Sequence, residues 1–134
     1  MGNGKYDNEY FIKQGFVPLK DYLYPNNWVC NFGASHTLEY AFSCYAAAQM
    51  AKALGKTAAY DTLIQYSYAY QNLFDPETKY MRPREMDGSF MKDFDPLKGW
   101  KGFQEGNAAQ YTWYVPHDIQ GLINLMGIDL FNER

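Results

Sequence analysis

Glu105 lies just before a glycine and close in sequence to Trp100, Phe103, Tyr111 and Trp113. A carboxylate pressed among aromatic rings loses solvation of its charged form, so its pKa rises. A glutamic acid kept protonated near neutral pH can donate a proton to a leaving group. Gly106 lets the backbone come close to a ligand or take a positive φ that other residues resist. The competing reading is a glutamate at the solvated entrance of a helix, favoured there by the helix dipole. Spacing alone leaves both open. Other chemistry-bearing residues are sparse. Arg82 and Arg84 either meet an anionic or hydroxyl-rich ligand or pair with local acids, and the second is the simpler reading. Cys30 and Cys44 have no CxxC or Cys/His metal spacing, and Cys44 reads as a buried helical thiol. Nothing in the sequence argues for a disulfide between them. His36 and His117 stand alone and read as capping or hydrogen-bonded residues.

The elements that must position these residues are helical. Tyr6 to Gln14 suits a helix ending at Gly15, and Ser35 to Leu54 is the clearest helix of the chain. Ser35 or Thr37 is placed to cap it, and Glu39 suits its positive end. Leu38, Ala41, Phe42, Tyr45, Ala48 and Ala51 recur on one face, the run Ala46-Ala47-Ala48 permits close approach of a neighbour, and Gly55 ends the helix. Thr57 is read as the cap of a second helix over Ala58 to Phe74, with Leu63, Tyr66, Tyr70 and Leu73 on a face and Asp75-Pro76 as its stop. The short connection favours an antiparallel αα-hairpin. From Glu77 to Gly102 there is no helical period. Tyr80 to Arg84 and Ser89 to Phe94 read as short extended arms about a turn at Asp87-Gly88, within a loop long enough to be functional. A helical turn over Asn107 to Trp113 follows, then a last helix from His117 to Met126, with Pro116 and Asp118 at its entrance and Gly127 as its stop. Residues 5 to 34 are otherwise irregular, punctuated by Pro18, Pro25, Asn26-Asn27 and Gly33.

The fold expected is all-α: antiparallel helical hairpins with a long irregular or short-β loop. Tetratricopeptide-like repeats fit less well, because the loop interrupts a period of about 34 residues. A chain of 134 residues with 13 Tyr, 9 Phe and 3 Trp holds more rings than a small core uses. Flat rings with polar tips stack on sugars, or they are covered by further chain or a partner. Twelve Lys and Arg against 15 acids, with no basic run, exclude the footprint of nucleic-acid binding. No apolar run is long enough to cross a membrane, and Met1 to Glu9 lacks the order of a signal peptide. The protein is then either cytoplasmic or carries its targeting segment elsewhere. Apolar Ile128, Leu130 and Phe131 so near the end suggest that the parent chain continues; the domain is expected to be partial, incomplete at both ends, with an uncovered apolar face available for a homo-oligomer.

Several strings follow one another in a recognisable order. They are Ser35-His36-Thr37-Leu38-Glu39-Tyr40-Ala41, Gln49 to Gly55, Asn72-Leu73-Phe74-Asp75, Met81-Arg82-Pro83-Arg84 and Asp87-Gly88. Glu105-Gly106-Asn107-Ala108-Ala109-Gln110-Tyr111-Thr112-Trp113 and Val115-Pro116-His117-Asp118 complete them. This pattern, from about Tyr10 to Phe131, resembles the central catalytic region of glycoside hydrolase family 92, calcium-dependent exo-acting α-mannosidases. The resemblance implies one segment of an (α/α)6 toroid acting on mannose-containing glycans, and a secreted or periplasmic parent. It implies that Glu105 is the general acid, which turns the balance on that residue. Gly106, Asn107 and Gln110 then shape its surroundings. The family inverts configuration, so a separate base activates water. The base and a further sugar-binding region belong to family strings that this sequence does not contain, as does a β-rich N-terminal domain. The chain alone is therefore expected to be inactive. The calcium of the family is implied too, without ligands that can be placed here. Ser43-Cys44-Tyr45 departs from the two aspartates and tryptophan usual in the family, which bears on subsite and specificity. The reading from another class is a non-catalytic helical module binding a glycan or a protein.

Overall fold

The structure, a computed structural model, describes residues 7–19 and 32–134. The expectations at Tyr6, Pro25, Asn26-Asn27 and Cys30 lie outside those residues, as does any Cys30–Cys44 pairing. The described chain is mainly helical: α1 (Asn8–Gln14), α2 (Gly33–Ala53), α3 (Thr57–Ser67), α4 (Ala108–Tyr111), α5 (Ile119–Met126) and α6 (Ile128–Glu133). A two-stranded antiparallel ribbon, β1 (Phe74–Asp75) and β2 (Tyr80–Met81), interrupts them, pairing Phe74 with Met81 and Asp75 with Tyr80.

The sequence signals are met at most junctions and displaced at a few. Gly15 adopts the left-handed conformation and its N–H closes α1 on Phe11 O, as a C-terminal glycine should. The hairpin is present: α3 turns back on α2 after a link at Leu54–Lys56, and the two helices pack along each other. Its caps differ from those expected. α2 begins at Gly33, two residues before Ser35, and neither Ser35 nor Thr37 caps it; their hydroxyls donate back to Phe32 O at 3.1 Å and Gly33 O at 2.8 Å. Hydroxyls inside a helix find the preceding turn's carbonyls more readily than the amides ahead of them. Glu39 consequently sits in the second turn rather than at the positive end. Thr57 is already helical and does not cap α3. That helix stops at Ser67, continues as a 3₁₀ turn over Tyr68–Asn72, and gives way to β1 at Phe74 instead of including it.

α2 is buried on more than one side, so a single apolar stripe describes it poorly. Leu38 and Ala34 join Tyr70, Leu73, Met81, Phe103 and Leu122 in the main core, while Tyr40 and Ala41 join Phe11, Val17 and Ala69 in a second cluster. Ala48 is buried, but Ala46 and Ala47 are exposed. Cys44 is half-buried rather than enclosed.

The irregular stretch is pinned by polar groups. The Asp87-Gly88 turn forms as expected, bridging Arg84 with Phe90, with Glu85 N on Ser89 O and Met91 N on Pro83 O. Buried Asp75 accepts bonds from Arg82 Nη1 (2.9 Å), Thr78 Oγ1 (3.0 Å) and Glu77 N (2.9 Å), so Arg82 pairs locally. Arg84 instead donates to carbonyls of Asn72 and Gly88 and lies over the Phe90 ring at 3.9 Å, and Asp75 acts on it through charge without a hydrogen bond. Gly127 stops α5 as expected, with φ of 94° and its N–H on Ile123 O, but α5 is not the last helix: α6 follows directly and packs Leu130 and Phe131 against the main core, while Ile128 stays exposed.

Candidate active site

The loop 97–107 and the first turns of α2 and α4 bring the candidate residues together. α4 is a single turn that would not persist alone. Asn107 caps it with Oδ1 accepting from Gln110 N at 3.0 Å, while Gln110 Oε1 accepts from Asn107 N at 3.1 Å. This reciprocal box satisfies two first-turn amides and fixes the exit from Glu105. Thr112 ties the turn to the ribbon, accepting from Met81 N at 2.9 Å and donating to Ala108 O at 2.7 Å, fully buried.

The loop is also clamped onto the entrance of α2. Ser35 N donates to Gly102 O at 3.0 Å, and Gln104 N donates to Ser35 Oγ at 3.2 Å. Tyr111 Oη then donates to Gln104 O at 2.8 Å. Gln104 is thus held from both sides, and Glu105 follows it with a φ of 54°. Of the two roles left open for Gly106, the positive φ is taken by Glu105 instead. Gly106 is needed for another reason: a Cβ there would stand 2.8 Å from Tyr111 Cε2 and 3.0 Å from Gln110 Oε1. Trp100, with φ of 71°, reaches the same turn by donating its N–H to Gly106 O at 3.0 Å.

Glu105 is exposed in the described chain and is not enclosed by the four rings near it in sequence. Phe103 is core, Trp113 packs against Phe131 at 5.4 Å, and Trp100 leans over Phe32 at 6.1 Å. Tyr111 is the ring whose phenol feels the carboxylate. Burial raises its pKa, and the negative charges of Glu39 and Glu105 raise it further. Tyr114 is raised by burial and by Glu39, to whose Oε2 it donates at 3.3 Å. Two acids therefore border one phenol, and Glu39 joins the candidate set. In the sequence it carried a helix-entrance signal and a place in the Ser35–Ala41 string, but no role at the site. Glu105, Tyr111 and Glu39 thus lie together, with the Trp100 backbone tied to the same turn, an arrangement able to present carboxylates and a phenol to a hydroxylated ligand.

Elsewhere, Ser43 and Cys44 line an apolar hollow of about 270 Å³ with Phe11, Tyr40, Leu63 and Tyr66, between α1, α2 and α3. It holds no acid and is not where Glu105 lies. Tyr45 instead packs on the His117 ring at 5.4 Å. His117 Nε2 meets Ser67 O at 2.8 Å, and His36 lies 3.9 Å from Asp7, so both histidines take polar partners as expected. Among the described residues no three of His, Cys, Asp or Glu come together to hold a metal ion. The calcium implied by the resemblance thus finds no carboxylate-rich ligand set within them. No described helix is long and apolar enough to cross a membrane.

The family model described as the glycosyl hydrolase family 92 catalytic domain matches residues 2–134. A solved family GH92 alpha-mannosidase, BT3965 from Bacteroides thetaiotaomicron, superposes with a TM-score of 0.85 at 41% identity over 98% of this chain. The family GH92 inverting mannosidase BT2199 from the same organism gives 0.82 at 35% identity over 92% of this chain. A protein of Arthroderma benhamiae described as an uncharacterized secreted glycosidase is 28% identical over 138 residues, covering 84% of this chain. The chain spans 17% of the length of BT3965 and of the Arthroderma protein, and 16% of BT2199.

Proposed function

The chain belongs to glycosyl hydrolase family 92, and we propose that it is a segment of an (α/α)6 catalytic domain that supplies the general acid, Glu105, of a secreted inverting α-mannosidase. The observation that carries this is the placement of Glu105. It is exposed on a turn fastened by Gln104 to Ser35 and Tyr111, at a φ that only glycine adopts freely. A flexible surface glutamate has no use for such a fixed, costly backbone, whereas a proton donor must meet the glycosidic oxygen within hydrogen-bond reach. Asn107 and Gln110 fix the turn through their mutual cap, and Gly106 lets Tyr111 close beneath it. In the inverting reaction Glu105 protonates the departing oxygen while a base supplied from outside this chain activates water on the opposite face of the sugar.

The test is a chimera in which residues 2–134 replace the matching segment of BT3965. Mannose release from α-mannobiose is expected, and Glu105→Gln should lower it by roughly 10²- to 10⁴-fold. α-Mannosyl fluoride, whose leaving group needs no proton, should be turned over by both. The isolated chain should release no mannose. Disaccharide turnover that survives Glu105→Gln in the chimera, or Glu105-dependent release by the isolated chain, would sink the reading.

A further inference from the structure

We infer that Trp100 is the aromatic platform for the leaving sugar, the ring that departs when Glu105 protonates the glycosidic oxygen; this rests on Glu105 being the acid. Trp100 is 56% exposed yet held at a φ of 71°. A bulky non-glycine residue there carries a steric cost that its surroundings must offset. Asp7 and Asp93, also at positive φ, are a type that tolerates the region through short local hydrogen bonds, and Lys79 takes it in the tight turn between β1 and β2, where its N–H closes on Asp75 O. Tryptophan has no such device, and with more than half its surface in solvent it gains little from burial. Glycine occupies the preceding position, Gly99, but not the strained one. A glycine at 100 would remove the strain at the cost of one tilted ring contact with Phe32, so the indole itself is what the loop geometry serves. The same pattern, a strained non-glycine residue beside a glycine, recurs at Glu105 and Gly106. Strain of this kind gathers where a side chain has to be aimed.

The platform is preorganised. Trp100 N–H is fixed to Gly106 O at 3.0 Å, one residue past the acid, and Asn107 Nδ2 binds Leu97 O at 3.2 Å across the same loop. The ring leans on Phe32, 6.1 Å away and tilted by 48°. A pyranose offers an apolar C–H face that stacks on a flat ring while its hydroxyls remain wet. The inverting geometry selects which sugar this is. The base and its water hold the far side of the terminal sugar, and the leaving group departs from the acid's side. A ring carried on the acid's own loop therefore borders the departing sugar.

The same BT3965 chimera tests this with Trp100→Ala, Trp100→Phe and, as a neighbour control, Leu97→Ala. With α-mannobiose, Trp100→Ala should lower kcat/KM roughly tenfold, chiefly through KM, with Trp100→Phe retaining most of it. α-Mannosyl fluoride has no leaving sugar, and its kcat/KM should stay unchanged in all three. Equal losses on both substrates would overturn the proposal, since Trp100 would then be held by other parts of the enzyme or would serve the terminal sugar. So would a disaccharide kcat/KM untouched by Trp100→Ala, or a loss matched by Leu97→Ala. Should the chimera not turn over the fluoride, the 134-residue chain decides. Its Trp100 indole N–H resonance should shift on titration with α-mannobiose and that of Trp113 should not, and no Trp100 shift overturns the proposal. Glu105→Gln keeps the two readings apart. If it spares disaccharide turnover the acid assignment falls, whatever the Trp100 variants do.

Discussion

Replacing Asp75 by alanine should be among the most damaging changes outside the apolar core. The carboxylate is 2% exposed and accepts bonds from Arg82, Thr78 and the Glu77 amide, and the Arg82 side chain is only 19% exposed. Removing one member of a buried pair strands the other charge, at about 3–5 kcal/mol. Arg82 keeps two bonds to Met91 O and lies over the Phe94 ring at 5.3 Å, which places the loss near the lower end, about 3 kcal/mol. For a domain of this size that is a fall in melting temperature of about 10 °C. The pH signature has a definite sign. Burial works to raise the Asp75 pKa, but the bonds from Arg82, Glu77 and Thr78 and the Arg82 charge outweigh it and hold it below the ordinary carboxylate value. The group therefore contributes stability above its unfolded pKa, near 4, and that contribution is lost as pH falls through the lower folded pKa. Urea unfolding followed by circular dichroism at neutral and acid pH, on wild type, Asp75→Ala, Arg82→Met and the double variant, measures each part. Additive single effects, or a melting temperature within about 2 °C of wild type, would refute the reasoning.

Gly121→Ala should destabilise by about 1–3 kcal/mol despite alanine's better helix propensity. Its Cβ would lie 2.2 Å from Tyr70 Oη and 2.3 Å from Asp118 Oδ2, and Tyr70 is fully buried, so a thermal melt should show a clear drop. Glu105→Gly should raise stability by up to about 1 kcal/mol, because relief of the left-handed backbone exceeds the entropy glycine adds to the unfolded chain. An unchanged or lower melting temperature would count against the strain argument. Tyr40 is pushed up to about 12, first by burial and then by the Asp7 charge. With the folded pKa above the unfolded value near 10, the stability it contributes is present below pH 10 and drains away as pH rises towards 12. Tyr40→Phe should flatten the alkaline fall of the urea midpoint.

The helices were legible because their signals are local. Small and apolar residues from Ala34 to Ala53, a glycine at Gly15, and a three-residue link between two long helices each speak within a few positions. The ends were not legible. Ser35 and Thr37 look like caps in one dimension, but their hydroxyls are claimed by Gln104 N and Val17 N, partners far along the chain. The β1–β2 pairing places Asp75 against Arg82, a side-chain pairing that no periodicity announces. At the candidate site the sequence singled out Glu105 and its string. It left a positive φ open at Gly106, where Glu105 takes it, and gave no role at the site to Glu39, whose relation to Tyr111 and Tyr114 exists only in the folded chain.

The bond from Ser35 N to Gly102 O, with Gln104 N returning to Ser35 Oγ, makes the first turn of the longest helix and the loop carrying Glu105 a single mechanical unit. Neither can loosen without exposing the other's amides to solvent. The Ser35 amide proton is therefore a reporter: its exchange with deuterium counts openings of the loop carrying Glu105 from the first turn of a helix. A ligand that grips the loop should slow that exchange at a residue it never touches.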